Sequence, residues 1–199
     1  MARRKPIGRL AALLALALLA GCATTRVETT GMRPAAPLCQ AGQASLPTVV
    51  YWGPQWRPDQ KEPALREAAA LRGIEDFLSH TSCLGTTAIH RLPSDTPPPG
   101  DAELIRLARN TPPVPARLLL IVVRELGPRL SIGLPVIVEG GTEVLLDVRV
   151  LNPQSGESLA DARTLWRNGG IFVIKGVGTL DRDLSEALRT LLLSGKAAD

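Results

Sequence analysis

Apolar and polar residues alternate in two stretches of the second half of the chain. Every second residue is aliphatic over 130–138, and a similar alternation returns over 144–150. A period of two residues places successive side chains on opposite faces of a β-strand. Gly140 and Gly141, which lie between the two stretches, are typical of a tight turn. We therefore predict a β-hairpin that turns at these glycines.

Further strands are predicted on both sides of this hairpin. The run at 118–123 is aliphatic at every position, which is typical of a central strand buried on both faces. Shorter runs of β-branched and apolar residues predict strands at 48–52, 84–92 and 159–166. The two glycines within 168–170 predict a loop after the last of these strands.

Apolar residues recur at helical spacing in three other stretches. They lie at about 64–80, at about 102–109 and from Leu180 to Leu192, where leucines form one stripe. The resulting element order is roughly β-α-β-α-β-β-β-α. We therefore predict an α/β (α+β) fold, a two-layer sandwich of a mixed sheet of about five strands with helices packed on it.

The amino terminus follows a different pattern. Four basic residues and no acidic residue accompany an apolar run at 10–20 that consists of Leu and Ala. A membrane-spanning helix needs about 20 apolar residues, so this shorter run fits the core of a signal peptide. The run ends in Leu19-Ala20-Gly21-Cys22, which resembles the lipobox of bacterial lipoproteins at all four positions. An ordinary secretory signal that happens to precede a cysteine is the alternative.

The lipobox resemblance implies a membrane anchor. The lipoprotein signal peptidase would cut before Cys22, which would become the acylated first residue of the mature protein. Two or more acyl chains give a stable attachment to a bilayer. In enteric-type bacteria an Asp after the cysteine retains a lipoprotein in the inner membrane. Ala23 stands there, so the resemblance implies transfer by the sorting machinery to the outer membrane, with the domain facing the periplasm.

The same resemblance divides the chain into three parts. We expect residues 1–21 to be a lipoprotein signal peptide and residues 48–199 to form a single periplasmic domain. The stretch 22–47 is rich in Thr, Pro and Gly and shows no hydrophobic periodicity, so we expect an acylated tether there.

Charge excludes one class of partner. The chain has 23 Lys and Arg against 19 Asp and Glu, a formal net charge of +4. Four of the basic residues precede Cys22, so the remainder of the chain is electrically balanced. The apparent basicity therefore gives no support to nucleic-acid binding. We expect no nucleic-acid partner and no cofactor.

Two cysteines remain once Cys22 is acylated. Cys39 and Cys83 would lie in an oxidising compartment, where a pair of cysteines favours one disulfide. Two buried thiols or a bond to a partner protein are alternatives. A metal site is a further alternative, because His80 and His90 lie near Cys83 in the sequence. Their spacing matches no standard zinc pattern, so we expect no metal.

The tryptophans are candidate contact residues. Trp52 and Trp56 lie close together in the sequence, and Trp166 ends a predicted strand beside the glycine-rich segment. Exposed aromatic side chains of this kind anchor protein interfaces. The alternative is a role in the hydrophobic core.

Catalytic patterns are weak. The chain has no Gly-x-Ser-x-Gly motif, and the carboxylates of Glu143 and Asp147 share one strand face, as ordinary polar residues do. Gly176 and Gly178 precede the last helix without the Gly-Lys-Ser/Thr of a phosphate-binding loop. We therefore predict that the protein is not an enzyme.

The order of the elements carries a second resemblance, over about residues 48–193. An apolar strand is followed by a long strand ending in Asn152-Pro153-x-x-Gly156, another strand and a closing helix. This is similar to a group of envelope lipoprotein domains that includes the curli secretion lipoprotein, the lipoprotein activator of penicillin-binding proteins and the amino-terminal domain of the Tol system's propeller protein. In that group the turn often begins with Asp, where this chain has Asn152.

The two resemblances together imply a function class. We expect a lipid-anchored accessory or adaptor that binds another, unidentified envelope protein. A self-assembling secretion or channel subunit of the curli-secretion type is the alternative. An enzyme that acts on peptidoglycan is a third hypothesis.

Overall fold

Six strands form one sheet in the computed structural model, which describes residues 23–40, 42–133 and 137–194. The strands are β1 (Thr24–Met32), β2 (Leu46–Pro54), β3 (Leu84–Arg91), β4 (Arg117–Gly133), β5 (Ile137–Leu151) and β6 (Ser158–Ile171). Their spatial order is β1-β6-β5-β4-β2-β3. β2 runs parallel to β3 and β4, and the other neighbours are antiparallel. The predicted mixed α/β class is confirmed. β1 is not among the predicted strands, and the run at 118–123 is continuous with residues 130–133 of the predicted hairpin in the single strand β4.

Three helices pack against this sheet. They are α1 (Pro63–Ser79), α2 (Asp101–Arg109) and α3 (Leu180–Leu192), and a 3₁₀ turn at Val177–Thr179 leads into α3. α1 and α3 cover one face of the sheet, whereas α2 covers part of the other face. Over β2 and β4 the structure therefore has three layers, with helices on both faces of the sheet, where the sequence predicted two layers. None of the described helices combines the length and the apolar character needed to cross a bilayer.

The central strand β4 explains why helices lie on both faces. Leu119 and Ile121 belong to the core beneath α1 and α3, whereas Leu118 and Leu120 pack with Leu104 of α2. Each of these side chains is at most 1% exposed. Full burial of one such side chain contributes about 1.5–3 kcal/mol. The aliphatic run predicted as a strand buried on both faces is confirmed.

The segment predicted as a tether contains a strand. β1 pairs antiparallel with β6, with Thr24 opposite Gly169, and forms one edge of the sheet. The prediction of an irregular tether over 22–47 is therefore wrong for the residues of β1. An edge strand needs few apolar positions because most of its surface faces solvent. Val27 is one that packs against the core.

The hairpin turn also differs from the prediction. β4 ends at Gly133 and β5 begins at Ile137, so Gly140 and Gly141 lie inside β5. Opposite them, the predicted loop at 168–170 lies inside β6. These glycines permit two strands to approach closely, since a Cβ atom on Gly169 would collide with the backbone carbonyl oxygen of Gly140.

Candidate functional site

The point at which the chain enters the sheet is close to the candidate lipidation residue. Cys22 and the predicted signal peptide lie outside the described residues. Only Ala23 separates Cys22 from Thr24, the first residue of β1. Two successive Cα–Cα steps span at most about 7.6 Å. An acyl anchor on Cys22 would therefore attach directly to the edge of the folded domain.

The two remaining cysteines form a disulfide. The Cα atoms of Cys39 and Cys83 are 5.5 Å apart, and Cys83 is 1% exposed. The bond ties the segment after β1 to the start of β3, so the predicted pairing is confirmed. The buried Arg117 adds a second tie, because its guanidinium donates a hydrogen bond of 3.2 Å to the carbonyl of Leu38. Burial lowers the pKa of Arg117.

The disulfide removes the thiolate that the alternative metal site requires. The two histidines have other neighbours: the ring of His80 lies against Asp76, with Nδ1 3.2 Å from a carboxylate oxygen. The ring of His90 stacks on Tyr51 at 5.1 Å between centroids. Across the described ranges, no group of three or more His, Cys, Asp and Glu side chains is placed to hold a metal ion.

The structure corrects the interpretation of two tryptophans. Trp52 and Trp166 are 2% and 3% exposed and belong to the core between the sheet and the two helices α1 and α3. Their large apolar rings fill that layer, so neither is available to a partner. Trp56 is partly buried against the same core, and its indole nitrogen has no hydrogen-bond partner among the described residues.

Charged side chains line the sheet face that is turned away from α1 and α3. We call this surface the open face and define it by the outward residues of β1, β5 and β6 together with Arg124 of β4. Asp147 of β5 accepts hydrogen bonds of 2.5 and 2.9 Å from Arg163 of β6 and one of 2.5 Å from Arg124 of β4. Further along, Arg167 donates a bond of 2.7 Å to Glu143. Each pair joins neighbouring strands.

The central carboxylate of the open face is held ionised. Burial would raise the pKa of Asp147, but hydrogen bonds from Arg163 and Arg124 and their positive charges outweigh burial and lower the pKa below its ordinary value of 3.8. The bond to Asp147 raises the pKa of Arg163 in turn. The Asp147 carboxylate and the Arg163 guanidinium thus stay charged at neutral pH.

A groove of about 550 Å³ runs beside this charged cluster. Its charged walls include Arg124, Arg149, Arg163, Asp147 and Asp161, and it also contacts Leu120 and Val122 of β4. The alternation of β5 predicted Asp147 on the same strand face as Glu143. The alternation does not predict the arginines of β4 and β6 beside Asp147, because only the register between strands brings them together.

The far end of the β4–β5 hairpin exposes large apolar side chains. We call this cluster the apolar end, and it consists of Leu130, Ile132, Ile171, Phe172 and Ile174, which are 52–82% exposed. On the sheet face covered by α1 and α3, Leu126 and Val144 are the buried cross-strand pair nearest to this end. Beyond that pair the hairpin continues without cover from α1 or α3, so the aliphatic row of 130–138 is exposed at its beginning.

No protein-family model and no curated protein sequence matches the chain. Solved structures similar to it include the PelC dodecamer from Paraburkholderia phytofirmans, at 13% identity and a TM-score of 0.40, which covers 86% of this chain and 99% of that chain. Lipoprotein GNA1162 from Neisseria meningitidis is similar at 15% identity and a TM-score of 0.40, over 75% of this chain and 99% of that chain. At these TM-scores the similarity does not indicate a shared function.

Proposed function

We propose that this chain is a lipid-anchored accessory protein of the bacterial outer membrane whose periplasmic domain binds another envelope protein. The lipobox around Cys22 supports the anchor, and Ala23 supports the outer membrane. Biogenesis would involve the lipoprotein signal peptidase and the sorting machinery. In this proposal the domain acts by binding and not by catalysis.

The observation that carries the binding role is the charged groove of the open face. Arg124 and Arg163 hold Asp147 between them, and the Arg163 side chain is still 53% exposed. Two guanidinium groups face one carboxylate there. The planar fork of Arg is suited to carboxylates of a partner surface. Fixed charges of this kind determine orientation and association rate.

The lipid anchor makes a modest interface sufficient. Attachment of both proteins to one membrane confines them to a thin layer and raises the effective concentration of each at the other. The open face then has to supply specificity more than affinity. A partner with acidic side chains opposite the two arginines meets that requirement.

A matched pair of charge reversals tests the binding role. Arg163→Glu alters the open face, and Arg72→Glu makes the same change on α1, where the side chain is 58% exposed. We expect crosslinked capture of the envelope partner from native membranes to fall strongly with Arg163→Glu and to persist with Arg72→Glu. Equal capture by both variants would show that the open face is not the interface.

A second candidate function is self-assembly as a secretion or channel subunit. The observation that favours it is the sheet order, in which the outer edges of β1 and β3 pair with no other described strand. Unpaired edges can add strands from another chain, and head-to-tail contacts between unlike edges generate rings. Measurement of the size and composition of the complex after mild detergent extraction distinguishes the two functions. A large assembly of this chain alone favours the self-assembling subunit, and a complex with a different protein favours the accessory protein.

A further inference from the structure

Apolar side chains from both faces of the sheet meet at one end of the molecule. Ile132 of β4 lies opposite Val138 of β5, and the carbonyl of Val138 accepts a hydrogen bond of 2.8 Å from the backbone of Phe172. Ile171 lies opposite Glu139, the next residue of β5, so it points to the other face. At this end of the molecule, exposed apolar side chains therefore lie on both faces of the sheet.

The exposure of this end is considerable. Ile132 and Ile174 are 67% and 82% exposed, and Phe172 is 63% exposed. Phe172 also has a backbone φ of 61°, a conformation that bulky residues rarely adopt. Such strain persists where the surrounding structure maintains it, and it occurs often at functional positions. Here it accompanies an aromatic ring that packs against little of the domain.

The strand register places the anchor at this same end. Thr24 pairs with Gly169, Gly169 with Gly141, and Gly141 with Arg129. Thr24, the first residue of β1, is therefore aligned across the sheet with Arg129, the neighbour of Leu130 in β4. Since only Ala23 lies between Thr24 and Cys22, the Cα atom of Cys22, the residue that would carry the acyl chains, can lie at most about 8 Å from that of Thr24.

Charge at this end favours an anionic surface. Arg26 and Arg129 are exposed, and neither forms an ion pair with another described residue. With Glu139 they border a depression of about 120 Å³ over the close-packed glycines. Basic residues near a membrane surface are attracted to anionic lipid headgroups.

We infer that the apolar end docks into the surface of the bilayer that holds the acyl chains. This inference rests on the lipid anchor of the proposed function. The apolar side chains enter the headgroup boundary, and Arg26 and Arg129 contact lipid phosphates. The strands then stand upright on the membrane, and α2, together with the Cys39–Cys83 disulfide, faces the periplasm.

Site-specific fluorescence quenching tests the orientation. Ile132→Cys and Ile174→Cys place a polarity-sensitive fluorophore at the apolar end, and Val114→Cys places it at an exposed apolar position just before β4 begins. The strand separates the two regions by roughly 50 Å. The acylated, disulfide-bonded chain is reconstituted in phosphatidylethanolamine–phosphatidylglycerol vesicles that contain acyl-chain spin labels. Circular dichroism checks that each variant is folded.

We expect a blue shift and several times more quenching at 132 and 174 than at 114. Equal, weak quenching at all three positions of a membrane-bound protein would overturn the docking and leave the anchor intact. Crosslinking of 132 or 174 to a second copy or another protein, in place of quenching, would also overturn it. Fatty-acid labelling of the wild type against Cys22→Ser reports on the anchor separately. No difference between them would overturn the anchor and the docking together.

Discussion

Gly73 of α1 lies so close to Leu184 of α3 that a Cβ atom on Gly73 would be 2.9 Å from the Leu184 Cβ. The added Cβ atom on Gly73 would also lie 2.5 Å from the backbone carbonyl oxygen of Asp181. The two helices that cover the sheet therefore meet with no space for a methyl group. This contact limits how closely α1 and α3 approach each other.

Gly73→Ala should destabilise the domain although Ala is the better helix former. The added methyl meets a backbone atom that cannot rotate away, so α1 and α3 must separate. We expect a loss of about 1–3 kcal/mol in the free energy of unfolding, measured by urea denaturation. Gly178→Ala is the control, because no atom lies within 4 Å of a Cβ there. Equal effects of the two substitutions would contradict close helix packing.

Reduction of the Cys39–Cys83 bond should lower stability. The bond closes a loop with a sequence separation of 44 residues, and the chain-entropy model gives up to about 4 kcal/mol for a loop of this size. Denaturation with and without reductant measures the difference. The double variant Cys39→Ala/Cys83→Ala should show no effect of reductant. A wild type that is insensitive to reductant would contradict the stabilising role.

Asp147 should make stability depend on pH. Its pKa in the folded state lies below 3.8, the ordinary value of an Asp side chain and the one that the unfolded chain keeps. The unfolded chain therefore binds the proton more readily, so the contribution of Asp147 is complete above pH 3.8 and is lost as the pH falls through the folded-state pKa. Asp147→Asn should be less stable than the wild type at neutral pH, and the difference should shrink below pH 3.8. Urea denaturation across pH measures it. A constant difference would contradict the ion-pair origin.

Trp166→Ala should behave as a core substitution. The ring is 3% exposed and packs against the residues beneath α3. Removal of a buried aromatic side chain costs about 3–5 kcal/mol in the free energy of unfolding. Thermal and urea denaturation should both report this loss. A variant of unchanged stability with reduced partner capture would instead restore the interface role that its sequence position indicated.

Local patterns determined much of this protein. The aliphatic run of β4, the leucine stripe of α3 and the alternation of β5 each identify the type of an element, because periodicity records which side chains face the core. They do not give the bounds of the two strands, since β4 extends to Gly133 and β5 begins at Ile137. The class of the fold follows from the order of those elements. The resemblance of Leu19-Ala20-Gly21-Cys22 to a lipobox is likewise a local signal that needs no tertiary context.

Only the tertiary structure decided which residues lie together on each face and at each edge of the sheet. β1 has little apolar pattern of its own, and its place in the sheet comes from backbone pairing with β6. Gly140 and Gly169 belong to glycine pairs that are typical of turns. In the folded protein they lie inside paired strands, at a point where β5 and β6 approach closely. The arginines around Asp147, and the nearness of Thr24 to the apolar end, depend on register between strands far apart in sequence. A linear pattern contains no information about that register until the strands are aligned by the packed core.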